Sequence, residues 1–228
     1  MWRVVWLVLL LVLIGVPVAV YQRWLDIPAR WNPWAPLNVQ ESPNLLTAFK
    51  LMRLQQDREL CAEALASSNL TYVSLPDSAQ TADCPLENTI RVQGSDMRFT
   101  SYLATCKMAV AFALFERDGL QPAAREVFGQ PVTRIEHFGS FACRNIGNSQ
   151  RRSQHASANA LDIAGFQLRD GQRITLARDW QGEGDKALFL RKVHEAACRQ
   201  FNVTLGPAYN AAHRDHFHVD MGLFHLCR

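Results

Sequence analysis

Val4 to Val20 is an unbroken run of 17 apolar or small residues, and it constrains everything that follows it. A run of this length is just enough to span a bilayer as a helix. A secretory signal peptide would end in a small-x-small cleavage site, whereas here Val18-Ala19-Val20 leads straight into Tyr21-Gln22-Arg23. The expectation is therefore an uncleaved signal anchor. A buried core helix fits poorly, because the run is apolar all round and lies at the terminus. Arg3 and the terminal amine stand against Arg23 and Arg30, so the positive-inside comparison leaves orientation open. The reading divides the chain into an anchor (1–24), a spacer (25–44) and one folded domain (45–228).

All six cysteines, Cys61, Cys84, Cys106, Cys143, Cys198 and Cys227, lie beyond that run. None forms a Cys-x-x-Cys pair, and an even number behind an anchor suits structural disulfides in an oxidising compartment. Sequence does not choose among the pairings, although Cys61 with Cys84 would close a local loop. With 24 Lys and Arg against 21 Asp and Glu and no long basic stretch, the chain has no phosphate-tracking stripe. Nucleic acid is not an expected partner.

Leu25 to Asn44 holds Pro28, Pro33, Pro36 and Pro43, which exclude a regular helix and predict an extended spacer, with Trp24, Trp31 and Trp34 at interfacial positions. Ser42-Pro43 predicts a helix start, and apolar spacing extends that helix to about Ala66. Tyr72–Leu75 and Thr89–Val92 read as strands, Tyr102–Arg117 as an apolar helix ended by Gly119, and Gln121-Pro122 to Gly129 as a short helix. Val132–Cys143 alternates like a strand. After a polar loop, Arg144 to Gln154, come a strand Ala160–Phe166, a turn at Asp170-Gly171 and a second strand Arg173–Ala177. Asp185 is placed to cap a helix reaching Phe201, and Val203–Leu205 with His216–Val219 makes a last strand pair. This order predicts an α+β fold, a small antiparallel sheet flanked by helices.

Chemistry concentrates in two stretches. His155 and Asp162 lie seven positions apart, the aspartate inside an apolar strand where a carboxylate seldom sits without a partner. His213, His216 and His218 follow downstream, and the two-residue step from His216 to His218 points both rings to one face of a strand. Hydrolytic zinc sites take three protein ligands and keep a position for water. Spacing leaves two sets open: His155, Asp162 and His218, or His155, His216 and His218. His137, His194 and His225 have no clustered partner.

Ser153, His155, Ala160 and Asp162 match the Ser-x-His-x-x-Gly-x-Ala-x-Asp signature of the D-Ala-D-Ala metallopeptidases. His216-Phe217-His218 is similar to the His-x-His signature of the wider lysostaphin, D-Ala-D-Ala peptidase and hedgehog-type superfamily. Between about Cys61 and Cys227, the surroundings of these residues resemble the bacterial extensin-like carboxy-terminal family, through Ala-Leu-Asp-Ile-Ala-Gly-Phe, Ala-Cys-Arg-Gln-Phe and His-Arg-Asp-His-Phe-His-Val-Asp. The resemblance implies one zinc ion on the sheet face, with His155, Asp162 and His218 as ligands and His216 free beside it. A zinc ion so held activates water against an amide, with His216 as general acid/base. His213 echoes a His-x-x-His-x-His arrangement of some murein endopeptidases and so becomes a second catalytic candidate. Arg144 is placed to meet a substrate carboxylate, and Ser153 either caps the ligand loop or touches substrate.

Two departures stand out: Ala158 replaces the motif glycine, and no residue matches the glutamate base of the dipeptidases, Asp215 being the nearest carboxylate. The implied function is a zinc peptidase or amidase, of D,D-endopeptidase or carboxypeptidase type. Its substrate would be peptidoglycan peptide, and the chain would be held in a bacterial inner membrane with its domain in the periplasm. The alternatives are a zinc-containing envelope module without catalysis and a purely structural disulfide domain.

Overall fold

The computed structural model describes residues 1–79, 83–147 and 149–228. Asn148, within the expected polar loop, lies outside the described residues. The apolar run forms α1 (Trp2–Tyr21), long and apolar enough to cross a membrane, with almost none of its surface covered by protein. The segment after it is not helical beyond one 3-10 turn, Ala29–Trp31, as its prolines require. It is nevertheless no free spacer. Leu37 and Val39 are buried in the core, Lys50 Nζ donates to the Ala29 carbonyl at 2.7 Å, and Arg53 donates to that of Pro33 at 2.8 Å.

The first long helix of the domain is two helices, α2 (Thr47–Leu54) and α3 (Arg58–Ala66). Ser42 and Pro43 do not start it. The break falls where Asp57 adopts extended backbone and accepts hydrogen bonds from the Glu59 and Leu60 amides, which caps a fresh helix. Strands β1 (Thr71–Ser74), β2 (Ser78–Ala79), β3 (Pro85–Leu86), β4 (Thr89–Gly94) and β5 (Tyr102–Thr105) follow. They form a three-stranded sheet, β1-β4-β5, and a two-stranded ribbon, β2-β3.

Tyr102–Thr105 is thus a strand where apolar spacing predicts helix. Thr105 is the switch point: extended itself, it accepts from the Met108 amide and caps α4 (Cys106–Phe115). Nearly every side chain of α4 is buried, and α2, α3 and α7 (Asp185–Gln200) pack around it. Gly119 does not end this helix. It lies in a π-turn, Glu116–Leu120, and the chain continues into α5 (Gln121–Phe128), closed by Gly129 at φ +67°. A Cβ on Gly119 would lie 2.7 Å from Ala196 Cβ, so the glycine serves close approach to α7. Asp185 opens α7 but does not cap it; Gly184 holds that position.

The main sheet is built on β7 (Ala160–Leu168), which pairs with β6 (Val132–His137), β8 (Arg173–Thr175) and β10 (Phe217–Asp220). Beyond β10 lie β9 (Val203–Leu205) and β11 (Leu226–Cys227). A short α6 (Leu176–Asp179) follows β8. The α+β class stands, with two differences from expectation: strands divide between two sheets and a ribbon, and β11 runs parallel to β9. The strand expected to reach Cys143 stops at His137, because Gly139 turns at φ +118°.

Three disulfides join Cys61 to Cys106, Cys84 to Cys143 and Cys198 to Cys227. The local Cys61–Cys84 loop does not form. Instead α3 is tied to α4, the β3 region to the loop ahead of His155, and α7 to the C-terminal strand. Three pairs with no free cysteine are the pattern of extracytoplasmic domains.

Candidate metal centre

His155 sits in a 3-10 turn, Gln154–Ser157, between β6 and β7. Ser153 caps this turn, its buried hydroxyl accepting from the His155 amide at 3.3 Å. Capping is one of the two roles expected of Ser153. Ala158 ends the turn at φ +56°, fully buried. This is a left-handed conformation that suits glycine, and alanine carries roughly 1 kcal/mol of strain there. Asn159 then locks the turn to the core: its Oδ1 accepts from Thr105 Oγ1 at 2.8 Å, and its Nδ2 donates to Gln154 Oε1 at 2.6 Å.

Asp162 and His218 lie directly opposite each other on the antiparallel pair β7 and β10. Cross-strand partners of this kind have Cβ atoms about 5 Å apart, which is enough for their side chains to meet. They do: His218 Nδ1 is 3.0 Å from Asp162 Oδ1. His155 Nε2 completes a triangle, 3.2 Å from the same oxygen and 3.1 Å from His218 Nδ1. The strand ladder holds Asp162 beyond the end of β6, since Phe138 N donates to its carbonyl and its amide donates to Gly139.

Hydrogen bonds on the far side of each ring decide what the triangle contains. His155 Nδ1–H donates to the Ser140 carbonyl at 3.0 Å, so Nε2 faces inward bare. His218 has a carboxylate at each nitrogen, Asp220 Oδ2 at 3.1 Å from Nε2 and Asp162 Oδ1 at 3.0 Å from Nδ1, and a neutral ring that donates from Nε2 presents a bare Nδ1 inward. With both rings neutral in these tautomers three lone pairs converge, an arrangement that is unfavourable until something positive enters. Without a metal that occupant is a proton. Burial opposes charge on His218, but its hydrogen bonds to Asp162 and Asp220 push it up to about 9. Burial likewise opposes ionisation of Asp162, yet His155 and His218 hold its carboxyl well below the usual range.

A divalent cation would fit the same place. A tetrahedral ion with bonds of about 2.1 Å sets neighbouring ligands about 3.4 Å apart, close to the separations seen. Two imidazoles and one carboxylate are a donor set suited to zinc and its neighbours in the transition series. The side chains of Asp162, His216 and His218 keep 15%, 13% and 12% of their surface exposed, so solvent and a ligand can reach the centre.

His216 precedes β10 rather than lying in it and stands outside the three-ligand group. Its Nε2 is 3.7 Å from Asp162 Oδ1, and its Nδ1–H donates to Asp215 Oδ1 at 2.9 Å. His213 packs ring to ring with His216 and His218, with centroids at 5.3 and 5.9 Å, and donates from Nδ1 to Asn210 Oδ1 at 2.7 Å. Burial and the charges of His216 and His218 pull His213 down to about 4, so it is neutral at pH 7. Arg144 is exposed and near enough to His213 to act on its charge. Two exposed rings lie at the rim, Phe138 against His216 and Tyr209 against His213.

Sequence reasoning did not single out Ser140, Asp220, Asn210, Phe138 or Tyr209. Asp220 had a signal, since it follows His218 by two positions on a strand and so shares its face. Ser140 had none, because it contributes only a carbonyl. His137 and His194 stay apart from the centre, bound to the carbonyls of Thr100 and Arg228.

The class defined is an α+β domain that gathers two imidazoles and a carboxylate at the middle of an antiparallel strand pair. The model of the family described as extensin-like protein C-terminus matches residues 59–228, and the chain belongs to that family. No curated protein and no solved structure matches it.

Proposed function

We propose that this chain is a zinc-dependent peptidase or amidase acting on peptidoglycan peptides, of D,D-endopeptidase or carboxypeptidase type. The observation that carries the reading is the convergence of three donor atoms from His155, Asp162 and His218, each imidazole with an acceptor behind its outer nitrogen. The similarity of these residues to the signatures of the lysostaphin, D-Ala-D-Ala peptidase and hedgehog-type superfamily supports zinc and a peptide bond as the target.

Zinc supplies Lewis acidity when bound, which polarises an amide carbonyl and makes water a nucleophile near neutral pH. His216 is the general acid/base. Asp215 keeps the proton on its Nδ1, so Nε2 is free to take a proton from the attacking water and return it to the leaving amine. His213, neutral at working pH, steadies the oxyanion or the substrate. Arg144 meets a substrate carboxylate as a charge-assisted partner. We assign α1 as the anchor in a bacterial inner membrane, with the disulfide-bonded domain in the periplasm.

A second reading, a zinc-bearing envelope module without turnover, has one observation in its favour. The three carboxylates touching the site imidazoles, Asp162, Asp215 and Asp220, are all hydrogen-bonded to histidine, so none is left for the role of the dipeptidase glutamate. Mass analysis of muropeptides after incubation with zinc-loaded protein decides between them. The peptidase reading expects new amide-cleaved products and a loss of roughly 100- to 10,000-fold in His216→Ala with zinc retained. Intact muropeptides from zinc-loaded wild type would leave the binding module.

A further inference from the structure

We propose that Asp220 is a positioning residue that decides which nitrogen of His218 faces the metal, and that Gly222 fixes Asp220 for that task. The proposal rests on the reading of His155, Asp162 and His218 as ligands. The two imidazoles of that set present opposite nitrogens, His155 its Nε2 and His218 its Nδ1. A backbone carbonyl accounts for the first. The second is accounted for by Asp220, two residues along β10, whose Oδ2 accepts from His218 Nε2–H at 3.1 Å.

Asp220 is buried, and its other oxygen, Oδ1, accepts from the Gly222 amide at 2.7 Å. A Cβ at position 222 would lie 2.9 Å from that oxygen and 3.1 Å from the Gln154 side chain, so only glycine lets the backbone donor come this close. Lys107, partly buried, supplies the opposite charge facing Asp220. The carboxylate thus meets two donors from two directions, with one acceptor oxygen for each.

An amide of the same shape cannot do this, because it has a single acceptor oxygen. In Asp220→Asn, an amide oxygen that keeps the Gly222 bond sets its NH2 against His218 Nε2–H; turned round, it sets the NH2 against the Gly222 amide. The clash at His218 is relieved when the imidazole carries its proton on Nδ1, the atom that should be a ligand. Asp220→Ala removes the carboxylate without setting a donor against the ring. The nearly isosteric variant should therefore be the more harmful one, an order that loss of packing alone would reverse.

The test is zinc affinity, measured by competition with a chromophoric chelator, for wild type, Asp220→Asn and Asp220→Ala. Kd should rise roughly 100-fold in Asp220→Asn and roughly 10-fold in Asp220→Ala, the range over which such outer partners act. Proton–nitrogen correlation spectra of the imidazoles, recorded without metal at a pH above the ring's own titration in the same spectra, give a second reading. They should show His218 protonated on Nε2 in wild type and on Nδ1 in Asp220→Asn. Equal affinities in the two variants, or a wild-type His218 protonated on Nδ1, would overturn the proposal, and the wild-type spectrum decides even where a variant does not fold. Wild type that binds no zinc would remove the metal reading, while the spectra still judge Asp220.

Discussion

Among the described residues two clusters each bring three donor atoms within 4.8 Å of one another: His155, Asp162 and His218 on the sheet, and His194, Cys198 and Cys227 between α7 and β11. By distance alone they are equivalent. In the first, each ring has an acceptor at its outer nitrogen, so the inward atoms can offer lone pairs to a cation. In the second, the two sulfurs are joined to each other, and the His194 Nδ1, 3.9 Å from Cys198 Sγ, meets atoms that have nothing left to coordinate with. Donor proximity is therefore not a site. What matters is whether the surroundings have left the donors uncommitted, and a pair of hydrogen bonds on the far side of the rings decides that as much as the ligands do.

The largest effect separates the clusters outright. If the proposed function holds, wild type carries about one zinc ion per chain and digests murein; His218→Ala is then expected to lose both, whereas His194→Ala keeps both. Metal analysis of the purified variants checks this, and zinc lost equally from the two would end the distinction. Next is metal linkage: zinc at about a thousandfold excess over Kd should stabilise the folded chain by about 4 kcal/mol, an effect abolished in His155→Ala. Urea unfolding with zinc and with chelator measures it. Opening the other cluster by Cys198→Ser with Cys227→Ser should cost about 3.5 kcal/mol, since the bond closes a loop of 29 residues. Zinc content should not change.

The smallest effect concerns a buried carboxylate outside both clusters. Burial, against the Ser95 hydroxyl and with the help of Asp96, raises Glu116 from 4.5 to about 7. The folded chain then holds a proton that the unfolded chain releases, so stability falls as pH rises from 4.5 to 7 and stays reduced above. The loss is about 3 kcal/mol at most. Glu116→Gln should flatten this dependence, and denaturant midpoints at pH 5 and pH 8 that shift as in wild type would refute the assignment. Asp162 behaves in the opposite sense because two imidazoles surround it, where Glu116 has a hydroxyl.

Much of the frame was legible from local pattern. β7 and α1 follow from their apolar runs and the β7–β8 turn from Asp170-Gly171, and the β9–β10 pair stands as expected. One failure has a general cause: apolar residues in an almost wholly buried segment carry no period. Tyr102–Thr105 and α4 are almost wholly buried, so helix and strand look alike there until the Thr105 cap is seen. Gly119 was a stop signal by propensity, but packing against Ala196 gave it another role. Disulfide pairing was beyond reach, because Cys61 meets Cys106 only after α3 packs on α4.

Sequence alone determined which side chains were available for chemistry: an aspartate stranded in an apolar strand, a histidine seven residues before it, and three more within six positions near the C-terminus. It also determined that an apolar segment and an even set of cysteines accompany them. Tertiary structure alone decided that Asp162 and His218 stand opposite in register, that Ser140 and Asp220 turn the ring protons outward, and that the cysteines beside His194 bond to each other. The reason is physical. Residue type sets what an atom can donate or accept, but whether it remains free to do so depends on neighbours that only folding brings within 3 Å.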